Sequence, residues 1–65
     1  MNQAATIQAT AEANYNEAAL TLQACDYFLE RAQNTPRLAR AKAHHATALA
    51  AFQLAANAYD AAMDL

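Results

Sequence analysis

The sequence predicts an all-α fold: an antiparallel hairpin of two long helices with an alanine-rich heptad seam, paired with a second copy as a homodimeric four-helix bundle. Three observations carry this expectation. Alanine supplies 21 of the 65 residues and glycine none. Alanine loses no side-chain freedom in a helix, whereas glycine is costly there, so the composition favours helix. Valine is absent and Ile7 is the one isoleucine, so the β-branched residues that suit a pleated sheet are scarce. The third observation is a single break near the middle of the chain, Asn34-Thr35-Pro36.

The break sets the elements. Proline is favoured at the first helical position, and threonine just before it is a good N-cap. Asparagine accepts the left-handed conformation that ends many helices. The expectation is one domain over residues 1–65, with helix 1 from about 3 to 33, a turn at 34–35 and helix 2 from about 36 to 63. Each helix is then about 45 Å long, and so short a connection makes the two antiparallel neighbours.

A heptad pattern fixes the seam. In helix 1, Ala4, Ala11, Ala18, Cys25 and Ala32 take position d, and Met1, Gln8, Tyr15, Leu22 and Leu29 take position a. In helix 2, d falls on Ala41, Ala48, Ala55 and Ala62, and a on Leu38, His45, Phe52 and Tyr59. Eight of the nine d positions are alanine, against 13 of the other 56 residues. Folding the chain at Thr35 sets Ala32 against Leu38, Leu29 against Ala41, Cys25 against His45 and Leu22 against Ala48. Beyond these, Ala18 meets Phe52, Tyr15 meets Ala55, Ala11 meets Tyr59 and Gln8 meets Ala62. Every layer sets a small residue against a larger one, which is how facing helices interdigitate at native density.

The apolar face is wider than a coiled-coil seam. Ile7 and Phe28 stand at g in helix 1, and Leu49, Ala56 and Met63 at e in helix 2. These residues are the expected dimer interface of a four-helix bundle. A chain this small buries too little apolar surface to offset its ordering entropy with ease, so association is the expected staple. The lone Cys25 excludes an internal disulfide and fits a reducing cytoplasm.

In length, hairpin shape and small seam residues the chain resembles the Rop family of plasmid RNA-binding proteins, whose hairpins dimerise into a bundle. The resemblance is of pattern, with no shared motif. Rop-like proteins grip paired RNA loops with polar and basic residues along helix 1. Here helix 1 carries Glu12, Glu17, Asp26 and Glu30, with Arg31 as its only basic residue. The shape is carried over, and no functional residue is.

Net charge is −2, which gives no bulk attraction for nucleic acid. The first 15 residues are too polar for a signal peptide. The uncharged stretch from Ala43 to Tyr59 is too short and polar for a membrane span. No cofactor and no catalytic residue are expected: a phosphate loop needs glycine, and a buried cysteine between narrow helices lacks the cleft of a thiol enzyme.

Three constellations remain. Cys25 and His45 share a layer, so a metal-dependent assembly is one alternative, although the paired spacing of a zinc motif is missing. Arg31, Arg37, Arg40 and Lys42 cluster near the turn, while Glu12, Glu17, Asp60 and Asp64 lie toward the open end. The basic cluster is either an anion or nucleic-acid contact, as in a Rop-like RNA-binding regulator, or half of an intersubunit charge match. Finally, Leu20, Ala24 and Tyr27 form a stripe away from the seam, with Leu54 its counterpart on helix 2. That stripe is the expected partner-binding face. The function expected is a small non-enzymatic interaction module: a dimeric regulator or inhibitor of another protein, of the kind phages and plasmids encode.

Overall fold

The computed structural model describes residues 2–65, so the a position assigned to Met1 lies outside the described residues. Two helices, α1 (Gln3–Arg31) and α2 (Leu38–Met63), pack along their length as a hairpin. The Cα envelope is a rod of 53 × 13 × 11 Å. Asn2 opens α1 as its N-cap, its side chain accepting from the Ala5 amide at 3.3 Å. This satisfies one of the amides that every helix start leaves without a partner.

The seam follows the heptad register. Every a and d residue from Ala4 to Ala62 is buried or half-buried, and outside those positions only Ala19 and Ala56 are, among the described residues. Ala11, Ala32, Ala48 and Ala62 form the buried core. Cross-helix contacts mark the layers. Tyr15 packs between Phe52 and Tyr59, with ring centroids 5.2 Å away on each side. The Gln8 side-chain amide donates to the Ala62 carbonyl at 3.1 Å, joining the two residues of the outermost layer. Small d residues let the backbones approach, and the larger a residues fill the space beside them.

The turn is longer than the sequence suggests. The expected ends at 33 and 36 are corrected to Arg31 and Leu38. At the end of α1 the Ala32 amide is shared between Phe28 and Leu29, and the Gln33 amide reaches back only three residues to Glu30. Such tightening takes the last turn out of α geometry. Asn34 then adopts φ 62°, the left-handed conformation expected of it. This reversal leaves the Leu38 amide bonded to Thr35, three residues back, so Pro36 lies in the turn and does not open the α-helix. Thr35 organises the connection: its hydroxyl donates to Ala32 O at 2.6 Å and accepts from the Arg37 amide at 3.2 Å.

Neither helix is long and apolar enough to cross a membrane, among the described residues.

Candidate interaction surfaces

Two helices leave two flanks beside their seam. In an antiparallel pair the g positions of both helices share one flank and the e positions share the other. Each flank carries a groove. The g-flank groove lies at the turn end, lined by Cys25, Phe28, Arg31, Ala32, Thr35, Pro36, Arg37, Arg40, Ala41 and His44. The e-flank groove lies toward the open end, lined by Glu12, Tyr15, Asn16, Ala56, Tyr59 and Asp60. Arg31, Arg37 and Arg40 are therefore separated from Glu12 and Asp60 by face as well as by end, while Lys42, at e, stands on the flank of the acidic groove.

The expected dimer-interface residues do not form one surface. Phe28 lines the g-flank groove and Ala56 the e-flank groove. Ile7 shares the g flank with Phe28, and Leu49 and Met63 share the e flank with Ala56. Ile7, Phe28, Leu49 and Met63 are all exposed in the hairpin.

The stripe of α1 is exposed throughout. Leu20 shows 66% of its surface and Tyr27 about half, with Ala24 between them also exposed. Leu54 is 71% exposed on α2, across the seam from them. Tyr27 is held by two neighbours: the Arg31 guanidinium stands 4.6 Å from its ring centroid, and the Phe28 ring meets it edge-on at 5.6 Å. The cation–π contact gives Arg31 a partner within the hairpin. The same contact joins the stripe to the basic groove.

The two residues of the Cys25–His45 layer turn to opposite flanks. His45 Nε2 is hydrogen-bonded to Asp26 Oδ1, on the e flank. Cys25 lies in the opposite groove with His44, as a free, half-buried thiol. No group of three or more histidine, cysteine, aspartate or glutamate residues is placed to hold a metal ion, among the described residues. A cluster completed by a second chain would have only His45 Nδ1 to use, with Asp26 holding the ring through Nε2.

Sequence reasoning missed three contacts: Asp26 with His45, Gln8 with the Ala62 carbonyl, and Arg31 with Tyr27. The first was signalled by heptad letters, since Asp26 at e borders the layer of His45. The third was signalled by spacing, since residues four apart meet on a helix surface. The second joins two residues that the register already paired, and only the side-chain-to-carbonyl bond between them was not foreseen.

Arg31, Arg37, Arg40 and Lys42 make no ion pair within the hairpin, among the described residues. All four are exposed. The likeness to Rop-family hairpins is one of pattern, and neither a family model, a curated protein nor a solved structure matches the chain.

Proposed function

We propose that this hairpin is a non-enzymatic protein–protein interaction module that works in assembled form, regulating or inhibiting another protein. The observation that carries the reading is surface area. The hairpin exposes 5050 Å², whereas a compact monomer of 7.0 kDa exposes about 4,000 Å². The excess of about 1,000 Å² is close to what each partner buries in a stable interface, about 800 Å². Among the described residues no large side chain is fully buried, and the buried core consists of alanines. An alanine seam alone supplies little hydrophobic stabilisation, so covering the apolar flanks with another chain is the physical route to a stable fold.

The assembled reading predicts that stability depends on concentration, because association stabilises by mass action. The melting temperature should rise by several degrees over a hundredfold increase in protein concentration, as followed by circular dichroism. A melting temperature independent of concentration, together with a monomer mass, would sink the proposal.

The Leu20–Ala24–Tyr27 stripe is the surface left for a target once a flank is covered. Leu20→Asp combined with Tyr27→Ala should leave helicity and self-association unchanged and lose capture of the target that wild type retains. Equal capture by the double variant would remove this stripe from the function.

A further inference from the structure

The two grooves differ in charge as well as in face. Arg31, Arg37 and Arg40 border the turn-end groove around the exposed Phe28 ring, and among the described residues no carboxylate lines it. Glu12 and Asp60 border the open-end groove over Tyr15 and Tyr59, and no basic residue lines it. Among the described residues the arginines meet no carboxylate within their own hairpin; Arg31 stacks on the Tyr27 ring, and Arg37 and Arg40 face solvent without a partner charge.

We propose that the occupant of the arginine groove is a second copy of this chain, docked turn end over open end with its acidic groove against the arginines. The inference rests on the assembling-module reading and deepens it by naming the partner. Complementary potential steers and orients such contacts. Phe28 supplies the apolar anchor at the centre, the usual place for an aromatic residue in an interface. The floor it meets, formed by Tyr15, Ala56 and Tyr59, is half-buried and apolar. Along α1 the groove centres are about 15 residues apart, or about 22 Å. Reversing the second copy end for end therefore keeps most of the two rods in contact while opposite charges meet.

The symmetry follows from the faces. A two-fold dimer uses the same patch on both chains. Here the complementary grooves lie on opposite flanks, so one chain gives its g flank and the next its e flank. Each added chain leaves one groove of each sign uncovered. Such a heterologous contact with a half-turn about the stacking direction does not close, and association continues past the dimer.

The test is sedimentation equilibrium on the full chain at several concentrations and two salt levels. Wild type should exceed the mass of two chains at about 0.05 M salt and fall back at about 0.5 M, where the screening length drops to a few ångströms. Arg37→Glu/Arg40→Glu and Glu12→Lys/Asp60→Lys should each associate at least about tenfold more weakly, with helicity intact by circular dichroism. Mixing the two variants should restore association, because every groove then finds its opposite. The wild-type salt response decides the matter even if a variant fails to fold. A closed dimer indifferent to salt and to both reversals overturns this inference and leaves the assembling-module reading standing. A monomer with concentration-independent melting overturns both. Salt-sensitive binding of a single-stranded oligonucleotide, abolished by the arginine reversal without any change in mass, would instead assign the groove to nucleic acid.

Discussion

Replacing Tyr15 by alanine should destabilise the hairpin by about 2–4 kcal/mol, read from chemical denaturation at fixed protein concentration. Full truncation of a buried aromatic costs about 3–5 kcal/mol, and Tyr15 is only half-buried, which lowers the expected value. Its position raises the value again. The ring touches both Phe52 and Tyr59, so one truncation removes two aromatic contacts and leaves each neighbour without its partner. A domain of this length holds only about 3–10 kcal/mol in total, so the variant should be largely unfolded at modest temperature. A loss below about 1 kcal/mol would mean that the aromatic column is not what holds the open half together.

The second large effect is an exchange across one layer. Leu22 is half-buried opposite Ala48, whose exposure is 5%. Leu22→Ala should cost about 2–3 kcal/mol by leaving a void. Ala48→Leu should cost about 1–3 kcal/mol by forcing a larger side chain into a close seam. The double variant keeps the summed volume of the layer and should recover much of the loss, giving a favourable coupling above about 1 kcal/mol in a double-mutant cycle. Strict additivity of the two losses would show that residues 22 and 48 do not share a layer. This experiment reads the register directly, and it does so without a partner molecule.

The sequence made the seam legible because its signal is redundant. Alanine at nearly every d position and a larger residue opposite each one specify the same pairing, and the exposures from Ala4 to Ala62 follow it. Asn34 was legible for a local reason, since few residues other than glycine tolerate its φ. The helix ends were not. Whether Pro36 opens a helix depends on where the Leu38 amide finds its acceptor, and that is decided by the left-handed step at Asn34. His45 was read as a layer partner of Cys25, yet a ring at an a position can lean to either side of the seam. Asp26 waiting at e drew it to that side. The separation of charge by face was present in the heptad letters of Arg37, Arg40, Glu12 and Asp60. It becomes visible only once the flanks are assembled in three dimensions.

The Gln8–Ala62 bond has a consequence for how the hairpin comes apart. The last carbonyls of a helix lack amide partners within it, and unzipping usually begins there. Here the Ala62 carbonyl, which also accepts from the Leu65 amide just past the helix, is held by a side chain from the facing helix, about seven turns from the covalent link between the two. The open end behaves as a clasped end, and the chain is a loop closed at both ends, by peptide at Asn34 and by an amide hook at Gln8. Amide exchange should then show the last turns of α2 and the first turns of α1 losing their protection together, and Gln8→Ala should let the two ends open separately.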